Sequence, residues 1–399
     1  MKLSSLQQYG LVTANYWAFT LTDGAIRMLV LLYFNQLGYS PIDIAMLFVL
    51  YEFFGIVTNL VGGWLGARLG LNVTMNLGLA LQVIALMMLT VDTAYLTVAY
   101  VMFAQALSGI AKDLNKMSAK SSIKSLASDA SGQLYHWVAL LTGSKNALKG
   151  VGFFLGAALL ATVGFVNALY VLTALILLPL ALSLFLLDQS LGKAKDKPKF
   201  REMLSKSSAI NWLSGARFFL FGARDVWFVV ALPVYLEAVL GWSFMAVGTF
   251  MAAWVIGYGV VQALTPKLTG IKKRGIDSAH KPTQQTAMKL ATVLAIIPVA
   301  MTVMMGWHPA EVIIIGLLIF GVVFALNSAV HSYLIVSFAD QEGASKDVGF
   351  YYMANAGGRL LGTVLSGATY QWGGMEASLI VSAVFISLAA MLVLKADPA

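Results

Sequence analysis

The 399-residue sequence contains no cysteine, which excludes disulfide frameworks, thiolate metal sites and cysteine nucleophiles. Charge is almost as scarce. Asp, Glu, Lys and Arg make up 11% of the chain, against about a quarter in an ordinary soluble domain. With 59% hydrophobic residues, such a chain cannot solvate its own surface, so a soluble enzyme is excluded. The four histidines, His136, His280, His308 and His331, show no paired spacing of the HExxH kind, so neither a metal site nor a catalytic acid-base cluster is expected. No Gly-Lys-Ser/Thr phosphate loop is present either, and direct ATP drive is not indicated. The reading carries no catalytic residue, no metal and no cofactor.

What is present is a succession of long apolar runs. They lie near 9–37, 42–65, 73–90, 95–117, 135–163, 166–187, 209–240, 243–264, 286–306, 312–338, 348–372 and 377–394. About 20 apolar residues cross a bilayer as a helix, so the expected fold is an all-α membrane protein with twelve transmembrane helices. Lys and Arg between the runs gather on one side, as at Lys2, Arg68, Lys120, Lys124, Lys193 to Lys206, Lys267 to Lys281, Lys346 and Lys395. The opposite joints, 38–41, 91–94 and 373–376, have none. By the positive-inside rule the basic side is cytoplasmic, both termini are inside, and the protein sits as a multi-pass chain in the cell (inner) membrane. The net charge of +8 is therefore mostly topology, and no nucleic-acid partner is expected. The start of the chain lacks a cleavage-type signal pattern and is read as retained.

The chain also looks doubled. Gly38-Tyr39-Ser40 recurs as Gly241-Trp242-Ser243, 203 residues on (241 − 38), and Asn146-Ala147 as Asn355-Ala356, 209 residues on (355 − 146). This suggests two six-helix bundles, 1–187 and 209–399, joined by a Lys-rich cytoplasmic linker at 188–208.

Charges inside apolar runs carry the functional signal, because each costs roughly 2.5–3.5 kcal/mol even on lenient insertion scales and so faces the bundle interior. The cations are Arg27, Lys112, Lys145, Lys149, Arg217, Arg224 and Arg359; the acids are Asp23, Glu52, Asp113 and Asp225. Asp23 and Arg27, four apart, are placed for an internal ion pair, whereas Lys145 and Lys149, also four apart, repel. Two readings stay open. In one, Glu52, Asp113 and Asp225 neutralise the cations and lock helices together. In the other, surplus positive charge forms an anion site that substrate completes, Arg gripping tetrahedral oxyanions through its planar fork and Lys adding a point charge. On the second reading the substrate ligands are Arg27, Lys145, Lys149, Arg217, Arg224 and Arg359, with Asn146 and Asn355 beside them and Lys112 at the cytoplasmic mouth. Asn15, Gln105, Asn115 and Asn327 are further buried-polar candidates that more often hold helices together. His331 ranks low as a proton carrier; the carboxylates Asp23, Glu52 and Asp225 are the proton-coupling candidates.

Residues Gly63 to Gly70 read GWLGARLG and resemble the G-x-x-x-D-R-x-G loop of the major facilitator superfamily, with Ala67 in place of the acid. A closer likeness runs through Asn15 to Gly24, Tyr51 to Gly55, Gly109 to Lys116 and Thr142 to Gly150. These charge-bearing strings resemble the organoarsenical efflux permeases called ArsJ. The resemblance implies export of 1-arseno-3-phosphoglycerate, which glyceraldehyde-3-phosphate dehydrogenase makes when arsenate replaces phosphate, and a functional link to that enzyme. It implies a major facilitator fold working by alternating access, with proton exchange as the energy source. The residues alone support an anionic small-molecule partner in a lipid bilayer; they serve another organic or inorganic phosphate anion equally well.

Overall fold

The computed structural model describes residues 4–126, 133–187, 207–268, 282–338 and 344–397. The expected linker at 188–208 lies outside them except for Ser207 and Ser208, as do the side chains of Arg68, Lys120 and Lys124. A backbone in hydrocarbon has no water to bond, so every apolar run closes its hydrogen bonds internally. The described residues are accordingly helical: α1 (Ser5–Gln36), α2 (Pro41–Leu47), α3 (Val49–Leu69), α4 (Leu71–Met88), α5 (Val98–Leu126), α6 (Gln133–Val163) and α7 (Phe165–Leu186). There follow α8 (Ser208–Phe228), α9 (Ala231–Val234), α10 (Phe244–Leu268), α11 (Gln284–Met304), α12 (Pro309–Phe338) and α13 (Ala344–Leu394).

Ten runs among the described residues are long and apolar enough to cross a membrane. Two more spans are accounted for. The helix α13 breaks at Gly373 and Gly374, within the expected joint, and so carries two crossings. Gly374 has φ +68°, a left-handed geometry open to a residue without Cβ. The helix α5, with 29 residues, is long enough, and its apolar character is diluted by Gln105, Lys112, Asp113 and Asn115. The architecture is that of a twelve-helix all-α membrane protein. Large apolar side chains such as Leu178, Phe185 and Val303 point outward, which suits a surface covered by lipid rather than water.

Local chemistry sets the helix ends. Ser4 and Gln7 form a reciprocal capping box that starts α1, and Thr283 with Thr286 does the same for α11. The repeated Gly-aromatic-Ser triplet takes the same shape in both places. Gly38 and Gly241 are both left-handed, at φ +81° and +70°, and each following serine caps the next helix: Ser40 Oγ accepts from Asp43 N at 3.2 Å and Ser243 Oγ from Ala246 N at 3.3 Å. Between α8 and α9, Pro233 of α9 cannot donate to the Val229 carbonyl. The helix is interrupted at Val229 and Val230, and the Val230 and Ala231 N–H groups both donate to Ser366 Oγ at 3.1 Å.

The described residues fall into two compact units. One lies within Met1–Tyr39, Met46–Phe200 and Ser243–Ala253, the other within Ser40–Ala45, Arg201–Trp242 and Trp254–Ala399. Inside the first, α1 and α6 approach at glycines: a Cβ on Gly152 would stand on the Leu21 carbonyl oxygen, and one on Gly156 on that of Ala25. Inside the second, α8 and α13 repeat the contact, Gly358 against the Phe218 carbonyl and Gly362 against that of Gly222. The register is the same in both, 197 residues for one helix (218 − 21 and 222 − 25) and 206 for the other (358 − 152 and 362 − 156). These contacts therefore align the two halves residue by residue. Arg27 corresponds to Arg224. Asn355 corresponds to Lys149 rather than to Asn146, so the 209-residue offset read from the sequence is three residues too long for this helix.

Filling such a contact forces the helices apart, at about 1–3 kcal/mol for an overpacked site. Gly156→Leu and Gly362→Leu are expected to lower the thermal unfolding midpoint of the detergent-solubilised protein by several degrees. Gly257→Ala, where a Cβ meets nothing within 4 Å, is expected to leave it unchanged or slightly raised. An unshifted midpoint in both Leu variants would refute the close-packing account.

Candidate functional site

In the first unit the charged residues of α1, α3 and α5 form a linked chain. Arg27 is held within the core by Glu52, Nη1 to Oε1 at 3.0 Å, and lies 5.2 and 5.3 Å from the ring centroids of Phe48 and Tyr51. Asp23, one turn earlier, accepts instead from the Tyr51 hydroxyl at 2.6 Å. The Asp23–Arg27 pair expected from spacing is thus replaced by two contacts across to α3, because adjacent Tyr51 and Glu52 present a donor and an acceptor to the two positions at once. Lys112 places its ammonium 3.9 Å from the Tyr51 ring centroid and 3.9 Å from Asp113 Oδ2. Lys116 binds Asp113 Oδ1 at 3.0 Å and Asn59 Oδ1 at 3.0 Å. Gly55 makes room for this cluster, since a Cβ there would crowd both Asp113 Oδ2 and the Lys112 ammonium.

Tyr51 is the residue that sequence reasoning missed. Its hydroxyl meets Asp23, and its ring faces both Arg27 and Lys112. The one cue in the sequence is its position next to Glu52. On α6, Lys145, Asn146 and Lys149 are half-buried, and the Lys149 ammonium lies 5.6 Å from the Phe153 ring centroid. Here five cations (Arg27, Lys112, Lys116, Lys145 and Lys149) accompany three acids (Asp23, Glu52 and Asp113).

In the second unit one carboxylate serves two arginines. Asp225 is 1% exposed; its Oδ1 is bound by Arg224, through Nε at 2.7 Å and also through Nη2, and its Oδ2 by Arg359 Nε at 3.2 Å. Arg224 further lies 5.0 Å from the Phe221 ring centroid. Arg217, 4% exposed, has neutral partners only among the described residues. Its Nε donates to Asn355 Oδ1 at 3.0 Å and its Nη1 to the Ser328 carbonyl and hydroxyl oxygens, each at 3.2 Å. The Phe221 ring centroid stands 3.9 Å from its guanidinium carbon. Asp225 thus joins two guanidinium groups, and the third is held by neutral oxygens. Asn15, Gln105, Asn115, Asn327 and His331 are all buried in helix cores.

Arg27, Lys112, Arg224 and Arg359 are each met by an acid, and Arg217 is met by amide, hydroxyl and carbonyl oxygens. Removing a buried carboxylate that two cations share costs stability through both of them.

The chain is a multi-pass membrane transporter, not an enzyme, and it belongs to the Major Facilitator Superfamily, whose sequence model matches residues 12–276. No curated protein matches it. Among solved structures, a POT family transporter in complex with thioalcohol conjugated peptide is similar with a TM-score of 0.79 at 13% identity, covering 97% of this chain and 95% of its own. A D-xylose-proton symporter is similar with a TM-score of 0.73 at 16% identity, covering 98% and 97%. At these identities the likeness is one of fold.

Asp225→Asn is expected to destabilise the folded protein by about 3–5 kcal/mol, the usual effect of stripping a buried cation of its acid. Replacing Arg359 by Gln in the same chain is expected to restore part of the loss. Thermal unfolding of the two single variants and the double variant measures the coupling; strict additivity would refute the shared pair.

Proposed function

We propose that the protein exports an anionic organoarsenical, 1-arseno-3-phosphoglycerate, and so confers arsenate resistance. The observation that carries the anion part is Arg217, a buried cation whose partners among the described residues are all neutral, on the same helix as Arg224. The arsenical part rests on the ArsJ-like strings around Asp23, Glu52, Lys112 and Lys145. This substrate has two separated tetrahedral oxyanions, each a group that Arg and Lys can bind. Arg27, Lys112, Lys145, Asn146 and Lys149 in the first unit, and Arg217, Arg224, Asn355 and Arg359 in the second, are the proposed ligands. The correspondence of Arg27 with Arg224 gives each half one guanidinium at the same place on its first helix.

Transport would proceed by alternating access of two six-helix halves, 1–187 and 209–399, joined through 188–208, in the inner membrane with both termini cytoplasmic. Proton exchange is the proposed energy source. Protonating Glu52 releases its hold on Arg27, and protonating Asp225 releases Arg224 and Arg359, so proton and anion compete for the same cations. Asp23, held by the Tyr51 hydroxyl, is the third candidate.

Expression in an arsenate-sensitive host tests the substrate. Resistance is expected when glyceraldehyde-3-phosphate dehydrogenase is co-expressed and not without it. Resistance independent of the dehydrogenase would overturn the organoarsenical reading, and flux of 3-phosphoglycerate in everted vesicles with no arsenate-dependent component would point to a carrier of other phosphate anions. Arg27→Lys and Arg224→Lys, which keep charge and lose the fork, are each expected to reduce transport about tenfold or more, equivalent to about 1.4 kcal/mol. Glu52→Gln is expected to abolish the response to a proton gradient while substrate counterflow persists. Gradient-driven flux equal to that of the unaltered protein would remove Glu52 from the coupling scheme.

A further inference from the structure

The surroundings of Ser328 on α12 are overfilled with hydrogen-bond donors. Arg217 Nη1 from α8 reaches its hydroxyl oxygen at 3.2 Å, the Tyr258 hydroxyl from α10 at 3.3 Å, and Gln262 Nε2, one turn further along α10, at 3.4 Å. A serine oxygen has two lone pairs and a proton of its own to place. Three donors on two lone pairs cannot all bond well; the Arg217 contact stands at the long end of the usual range of about 2.7–3.2 Å for N–H···O, and the Tyr258 and Gln262 contacts lie beyond the usual ranges. The Ser328 carbonyl gives little relief, since it already accepts from Arg217 and, at 2.8 Å, from the Ser332 hydroxyl. Among the described residues no carboxylate contacts Arg217, Tyr258, Gln262 or Ser328. The site is almost wholly buried, with Ser328 at 0% exposure and Arg217 at 4%.

We infer that this cluster is a subsite for one tetrahedral oxyanion, in which an oxygen of the ligand takes over from the Ser328 hydroxyl as the acceptor for Arg217, Tyr258 and Gln262. The inference rests on the anion reading above and specifies where one anionic group would bind. The chemistry favours a tetrahedral group over a carboxylate. The donors come from two helices, α8 and α10, onto one point rather than from a single coplanar fork, and one permanent charge supplemented by hydroxyl and amide donors suits an oxyanion with several oxygens to share. Asn355 holds Arg217 in place through Nε, and Nη1 meets Ser328. None of Tyr258, Gln262 and Ser328 stands out in the sequence as a binding residue.

Trp254 reports on the site, because its ring stacks on that of Tyr258 with centroids 5.9 Å apart and planes 4° from parallel. Titrating the purified full-length protein with inorganic phosphate and following tryptophan fluorescence is expected to give a saturable change that acetate does not compete away. Tyr258→Phe and Gln262→Ala are each expected to weaken the apparent Kd about tenfold, with thermal midpoints close to that of the unaltered protein. Ser328→Ala is expected to bind within threefold of it, or more tightly, because the competing acceptor is gone. A purely structural role for Ser328 predicts the reverse, a lowered midpoint with no gain in binding. Phosphate affinity unchanged in both Tyr258→Phe and Gln262→Ala, loss of binding in a folded Ser328→Ala protein, or equal competition by acetate would each overturn the subsite. Binding that weakens in Arg224→Lys but in neither α10 variant would overturn the subsite and leave the anion reading standing. An unaltered protein that binds neither phosphate nor 3-phosphoglycerate would overturn both.

Discussion

A charged side chain placed among lipid-facing helices has no water to turn to, so the protein itself must supply its partner. That requirement organises each unit of this chain. Arg27 draws Glu52 of α3 toward α1, Asp113 gathers Lys112 and Lys116, and Asp225 ties α8 to α13 through Arg359. Where α1 meets α6, and where α8 meets α13, glycines remove the side chains that would otherwise hold the backbones apart. At α8 and α13 close approach and internal charge coincide, because a Cβ on Gly362 would also stand on Cβ of Asp225, the partner of Arg359.

The glycine contacts also show where the two halves have diverged. With the register fixed by Gly152 and Gly156 against Gly358 and Gly362, Arg27 and Arg224 correspond, but their acids do not. Glu52 reaches Arg27 from another helix, whereas Asp225 adjoins Arg224 in the chain. Lys149 corresponds to Asn355, Lys145 to Tyr351 and Thr20 to Arg217. In the first half positive charge resides largely on ammonium groups of α5 and α6, in the second on guanidinium groups of α8 and α13. A compact, strongly hydrated ammonium and a planar fork bind anions differently.

Much of this was legible in the sequence because membrane helices advertise themselves by length and apolarity, and because a charge inside such a run is rare enough to be noticed. The spans and the cation set needed only that reasoning. The partners of the cations were harder. Spacing along one helix paired Asp23 with Arg27, but spacing knows nothing of the neighbouring helix, where Tyr51 and Glu52 make the better match. Ser328, Tyr258 and Gln262 were invisible for a different reason. Hydroxyl and amide residues are common in transmembrane helices, and their meaning lies in convergence from separate helices, which no single segment records. The second repeat was misregistered by three residues because a shared Asn-Ala pair is weaker information than a backbone contact that admits only glycine.

Tyr51 shows how these contacts act together. Its hydroxyl is spent on Asp23, so the acid can stay near Arg27 without taking it from Glu52, and its ring offers a negative face to Arg27 and Lys112. A neutral side chain thereby stands among three cations and three acids of α1, α3 and α5 without adding charge of its own. Any change in the protonation of Asp23 alters the donor demand on Tyr51, and any movement of Tyr51 is felt by Glu52, its neighbour in the chain, and through it by Arg27. In the second unit Asp225 has no such intermediary and binds both arginines directly. On the proposed coupling scheme a proton in the first unit would act through this relay of contacts, whereas one at Asp225 would act on its bonds to Arg224 and Arg359 together.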